Sequence, residues 1–149
     1  MPTPINPMNS QPIQHQELDI LISHLLESIG LSSATLSGLH AENTLAIQIQ
    51  GLPDVMLSRM NSGLWFWSQL RELTDSRLMD YAASVLSVII SPIEGVEGGQ
   101  VTLGLGDNGY ELKALVSSQM LIEESGLEAV FRGFANTLAL LQHELQLGG

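Results

Sequence analysis

Apolar side chains recur along this chain with two different periods. From Glu17 to Ile29, the positions Leu18, Leu21, Ile22, Leu25, Leu26 and Ile29 follow the i, i+3, i+4 spacing of an amphipathic helix, and Gly30 sits where a terminating glycine belongs. Ser32–Ala41 reads as a loop. The period then changes to two. In Thr44–Gln50, Leu45, Ile47 and Ile49 alternate with Ala46, Gln48 and Gln50, the pattern of a half-buried strand. Gly51-Leu52-Pro53-Asp54 turns the chain into a second strand, Val55–Met60, and Asn61-Ser62-Gly63 turns it into a third, Leu64–Leu70.

Helical spacing returns at Thr74 or Asp75, either of which serves as a cap, and runs to about Ser91, where Pro92 stops it. Gln100–Leu105 and Tyr110–Val116 read as strands four and five. Asp107-Asn108-Gly109 joins them, and Asn-Gly favours a tight hairpin because its central residues need positive φ. Ser125 and Glu128 have capping-box spacing. They open a last helix with the stripe Leu127, Val130, Phe131, Phe134, Leu138, Leu141 and Leu145. The order α-β-β-β-α-β-β-α, with tight turns between strands, predicts an α+β fold: a mainly antiparallel five-stranded sheet with three helices.

The second helix is broader in its apolar arc than the last one. At about 100° per residue, the last helix keeps its large apolar side chains within roughly 100°, Leu140 excepted. In the second, Leu78, Met79, Ala82, Ala83, Val85, Leu86, Ile89 and Ile90, extended by Tyr81 and Val88, leave only Asp80, Ser84 and Ser87 as a polar strip. That arc is roughly 220°, so the helix needs cover on two sides. Its own sheet supplies one. The other is a second copy of the chain related by a two-fold axis, or else another helix of the same chain. The homodimer expectation places Met79, Ala82, Ala83, Val85, Leu86, Ile89 and Ile90 at the contact.

The third strand poses the same question. In Leu64-Trp65-Phe66-Trp67, the two tryptophans share one face and Phe66 takes the other, so both faces need cover. Met56 and Met60 share a face of the second strand, and methionine repacks readily against varied partners. The first strand has one sequential neighbour in the meander and carries no lysine to block strand addition. These features mark Leu45, Ala46, Ile47, Gln48, Gln50, Met56, Met60, Trp65 and Trp67 as candidate contacts for a polypeptide client.

Composition narrows the function classes. The 149 residues suit one domain, 15–149, after residues 1–14, which hold four of the six prolines and no charge and read as a disordered leader. With no cysteine there are no disulfides, thiolate metal sites or cysteine nucleophiles. A net charge of −11 with five scattered basic residues, Arg59, Arg71, Arg77, Lys113 and Arg132, disfavours nucleic acid and anionic membrane. A basic or apolar polypeptide is the better partner. No signal peptide or membrane span is evident, so a cytoplasmic location is expected.

Chemical motifs are few. Gly104-Leu105-Gly106-Asp107-Asn108-Gly109 fits G-x-G-x-x-G, but a dinucleotide site needs a helix next, and Tyr110–Val116 reads as a strand. His15, His24, His40 and His143 are isolated, and Ser58, Ser68 and Ser117 have no nucleophile elbow. Glu123-Glu124 reads as a solvated acidic pair. The expectation is a protein that binds protein, with no enzyme activity, no metal and no cofactor.

Two segments carry a resemblance. Gly63-Leu64-Trp65-Phe66-Trp67-Ser68-Gln69-Leu70 resembles the VWIWAQL strand of the InvB/SpaK family of type III secretion chaperones. Gly98-Gly99-Gln100-Val101-Thr102-Leu103-Gly104 with Glu111-Leu112-Lys113-Ala114-Leu115-Val116 is similar to that family's GGQLLLG…LTLKALV hairpin. The resemblance spans about residues 15–146 and leaves the proline-rich leader unassigned. It implies a dimeric, cytoplasmic bacterial chaperone of the multi-effector class. Such a chaperone holds N-terminal segments of effectors extended and brings them to the secretion ATPase. A dimeric adaptor unrelated to secretion is the alternative.

Overall fold

The computed structural model describes residues 15–30, 44–60, 63–123 and 125–147. The leader, the whole of the first loop, Asn61-Ser62 of the second turn and Glu124 of the acidic pair lie outside the described residues. The elements are α1 (His15–Ser28), β1 (Thr44–Ile47), β2 (Val55–Met60), β3 (Gly63–Gln69), α2 (Asp75–Asp80), α3 (Ala82–Ile89), β4 (Thr102–Gly106), β5 (Gly109–Leu115) and α4 (Gly126–Leu147). A 3-10 turn, Ser118–Leu121, precedes α4.

The strands form one antiparallel sheet in the order β1-β2-β3-β5-β4, which leaves β1 and β4 as its edges. Register divides the side chains between two faces. Leu45 and Ile47 of β1 pair with Leu57 and Val55 of β2, and Leu57 pairs with Phe66 of β3. Phe66 pairs in turn with Ala114 of β5. All of these are buried, together with Ile22, Leu25 and Leu26 of α1, Val85 and Val88 of α3, and the apolar stripe of α4. Phe66 anchors the layer. Its ring lies 5.8 Å from Phe131 and 6.2 Å from Phe134, tilted on the first and stacked on the second. Paired rings at such distances add to the area they bury.

The expected order of elements is present, with three local differences. The single expected helix from Asp75 divides at Tyr81, which adopts φ −115° and ψ 24°. Helical bonding bridges the break, from Tyr81 N–H to the Arg77 carbonyl and from Val85 N–H to the Tyr81 carbonyl, each 2.9 Å. The kink coincides with a contact that draws Arg77 aside. Its guanidinium donates to the Leu145 carbonyl at 2.6 Å and lies 5.7 Å from the Tyr81 ring centroid. Thr74 is the cap, its hydroxyl accepting from Arg77 N–H at 3.2 Å.

The second difference is in β1, which ends at Ile47, not Gln50. Gly51 turns left-handed at φ 82°, and Leu52 N–H closes on the Ile49 carbonyl at 3.1 Å, which lifts the chain out of the ladder. The third is the β4–β5 hairpin. It closes at Gly106↔Gly109, so Asp107 and Asn108 are its loop, and Gly109, at φ 111°, opens β5. At α4, Ser125 stands at the expected cap, its carbonyl accepting from Ala129 N–H at 3.1 Å. Glu128, expected to close a capping box, faces Ser28 of α1 and Arg132. The Ser28 hydroxyl, more than the Arg132 guanidinium at 3.5 Å, holds its carboxyl below the usual range.

Candidate functional site

The face of the sheet opposite Phe66 is the candidate site. Register aligns Ala46 with Met56, Met56 with Trp67, and Trp67 with Lys113 across four strands. One step along, Thr44, Ser58, Trp65 and Leu115 form a second row. Met60 extends the apolar surface beside Gly63 and is exposed. Among the described residues of this face Ser58 alone is buried; the two tryptophans are half-buried and Ala46 is exposed.

Ser58 explains how an indole can be held on an open surface. Trp67 Nε1–H donates to the Ser58 hydroxyl at 2.9 Å, and the Ser58 and Thr44 hydroxyls are 2.7 Å apart. The ring of β3 is thereby tied across β2 to the edge strand β1. Fixing a large side chain in advance removes part of the ordering cost of binding. Lys113 and Glu111, 3.3 Å apart, neutralise one another beside Trp67, so this patch is apolar and locally uncharged in an acidic chain.

Most of the expected client contacts meet on or beside this face, and four do not. Ala46, Met56, Met60, Trp65 and Trp67 share it. Leu45 and Ile47 are core residues, 3% and 1% exposed, because their register with Leu57 and Val55 turns them toward the helices. Gln48 and Gln50 are exposed but lie past the end of β1, in the turn that Gly51 imposes. Among the described residues, the edge strand is therefore Thr44–Ile47, without lysine or proline.

The second candidate surface is on α2 and α3. Met79, Leu86 and Ile90 are 77%, 59% and 54% exposed, and Ala82 and Ala83 are exposed between them. Their spacing makes one stripe. Val85, expected at a subunit contact, is 2% exposed within the core of its own chain, and Ile89 packs half-buried against that core. The wide apolar arc thus splits into an inner half and an outer half. Sequence reasoning missed Leu105, 72% exposed on β4. Its register partner Tyr110 donates from its hydroxyl to Asp75 Oδ1 at 2.7 Å, which fastens the hairpin to the start of α2. That bond holds the proton on Tyr110 and raises its pKa above 10.0.

The glycine loop leads into β5, so no helix N-terminus stands behind it for a pyrophosphate. No cluster of three or more His, Cys, Asp or Glu with metal-binding geometry occurs among the described residues. No described helix is long and apolar enough to cross a membrane. The arrangement is a half-buried aromatic pair, with the Trp67 ring tied to Ser58, two strands in from the β1 edge of the described sheet.

Comparison with known proteins bears on the family and the fold. The model of the invasion protein B family matches residues 30–107, more than half of the chain. The chain belongs to the invasion protein B family. This is the InvB/SpaK family of type III secretion chaperones that the tryptophan strand and the β4–β5 hairpin resemble. The surface presentation of antigens protein SpaK of Salmonella typhimurium is 26% identical over 133 residues, covering 89% of this chain and 98% of the relative. SpaK of Salmonella typhi matches to the same extent. Among solved structures, a chain of the heterodimeric ExoU–SpcU complex from the type III secretion system of Pseudomonas aeruginosa superposes with a TM-score of 0.56. The match covers 83% of this chain and 96% of that one at 20% identity. The α+β fold with a five-stranded antiparallel sheet is thus shared with a type III secretion complex.

Proposed function

We propose that this family member is a homodimeric cytoplasmic chaperone that holds the N-terminal segments of type III effectors extended against its open sheet face and delivers them to the secretion ATPase. The observation that carries this reading is that, among the described residues, Trp65 and Trp67 lie half-buried on the face of the sheet away from the helix-packed core. A client strand added at Thr44–Ile47 satisfies its backbone on the free edge, and its alternate side chains fall toward Met56 and Trp67. Backbone pairing tolerates many sequences, while the aromatic pair and the negative charge of the chain select among them. No step of this work calls for bond chemistry, so the chain acts as a holder and not an enzyme.

The outer stripe of α2 and α3 supports the dimer. Met79, Leu86 and Ile90 lie on one exposed face, and a two-fold axis brings two such stripes together. The test is co-purification from the native bacterium with mass spectrometry of what is retained. A secreted polypeptide captured through its N-terminal segment supports the proposal, and retention of folded cytoplasmic proteins alone contradicts it. For the dimer, Leu86→Asp is expected to sediment as a folded monomer. A wild-type chain that is already monomeric at micromolar concentration contradicts that part.

A further inference from the structure

Lys113 is the one lysine of the sequence, and it stands on the open face of the sheet, directly opposite Trp67. Glu111, two residues back on β5, shares that face. The Lys113 Nζ lies 3.3 Å from Glu111 Oε1. On the other flank of Glu111, β4 contributes Gly104 and Gly106, and register puts both on the same face. Neither has a side chain to cover the carboxylate. A Cβ at Gly106 would lie 2.5 Å from Glu111 Oε1, so the carboxylate is laid over that glycine. A Cβ at Gly104 would meet nothing within 4 Å, so the space beside it is open. We infer that Glu111 is a seat for an arginine of the polypeptide lying on the open face, and that Lys113 is its placeholder counterion, displaced when that arginine arrives.

Three observations favour exchange over a fixed pair. The two groups are held unequally. The Glu111 side chain is 19% exposed against the glycines of β4, and the Lys113 side chain is 37% exposed on a flexible four-carbon stem, so the acid is the fixed member. An exposed ion pair contributes little to stability, and opening this one costs the fold little. An arginine guanidinium meets a carboxylate with two parallel N–H···O bonds where an ammonium offers a point charge, so the incoming group binds the same acid better than the resident one. The charge of −11 selects the sign of the partner, drawing a basic segment toward the face and repelling an acidic one. A second copy of the chain is the poorer occupant, since it repeats that negative charge. Until exchange occurs, Lys113 spares the apolar face an uncompensated carboxylate beside Trp67.

The inference rests on the reading of the open face as the client site, and its test separates the two. The probe is a short peptide of alternating threonine and arginine, titrated into the full chain by calorimetry at physiological ionic strength. Lys113→Met keeps the apolar stem and frees the acid, so it is expected to tighten binding about fivefold, and Glu111→Gln to weaken it by about as much. A peptide with citrulline in place of arginine is expected to lose the difference between these two variants. Arg132→Met and Glu128→Gln are the controls. They break the ion pair of α4, behind the sheet, and change the net charge by the same amounts. Charges beyond a Debye length of about 8 Å are largely screened, so the controls are expected to bind as wild type does. Controls that shift affinity as far as the β5 variants overturn the inference, as does weaker binding by Lys113→Met or a wild-type chain that does not bind the peptide. If Trp67→Ala weakens binding while the β5 variants match their controls, the placeholder is wrong and the client face stands. If Trp67→Ala is without effect as well, the client face fails with it.

Discussion

Phe66 and Trp67 are neighbours on one strand and face opposite fates. Phe66 is fully buried between the rings of α4, and Trp67 lies half-exposed with its indole N–H tied to Ser58. One ring is held by dispersion from all sides, the other by a single directional bond and the flank of the sheet. The first arrangement stabilises the fold. The second keeps a large apolar surface in a defined pose without spending it on the chain's own core. Side-chain parity alone places the two rings on opposite faces of the sheet.

That division fails if the two rings respond alike to truncation. Phe66→Ala is expected to lose about 3–5 kcal/mol of stability, since a buried ring leaves both a transfer loss and a cavity. Urea denaturation measures it. Trp67→Ala is expected to lose less than half as much stability, and to lose about 2 kcal/mol or more of client affinity by calorimetry, the cost of removing a hot spot. A Trp67 variant as unstable as the Phe66 variant makes the open face part of the core.

Ser58→Ala sharpens the comparison further. It removes the hydroxyl that receives the Trp67 indole proton and contacts Thr44. A loss of about 1 kcal/mol in stability follows from one net hydrogen bond. Client association should weaken as Trp67 gains freedom, which binding kinetics will register. The smallest effect concerns the other end of the sheet. The Tyr110 hydroxyl is held protonated by its bond to Asp75, so its folded pKa is raised. The folded state then binds more protons than the unfolded one as pH passes the unfolded value near 10. The contribution is present below that pH and is lost as pH rises toward the folded value. Tyr110→Phe should flatten this alkaline slope in pH-dependent unfolding while leaving the client face unchanged.

Much of this fold is legible in the sequence, because periods of two and 3.6 residues mark which positions point inward. The meander, the edge position of β1 and the aromatic strand all follow from that pattern. What periodicity does not carry is the sharing of an apolar surface among partners. The arc of α2 and α3 shows that two sides need cover, but only the packed chain assigns Val85 inward and Leu86 outward. Leu45 and Ile47 belong to the edge strand whose backbone is expected to pair with a client, but their side chains, alternating with the outward Ala46, are core residues and offer a client no contact of their own. Ile49 and Gln50 continue the strand pattern, yet the left-handed Gly51 ends pairing earlier.

The central claim is that the face carrying Trp65 and Trp67, with the β1 edge beside it, is where a client lies. Hydrogen exchange of the chain alone and with a bound effector segment tests it directly. The account predicts new protection in Thr44–Ile47, and quenching of both tryptophans falling together in the complex. Protection confined to α4, with the tryptophans as accessible as in the free chain, would contradict it.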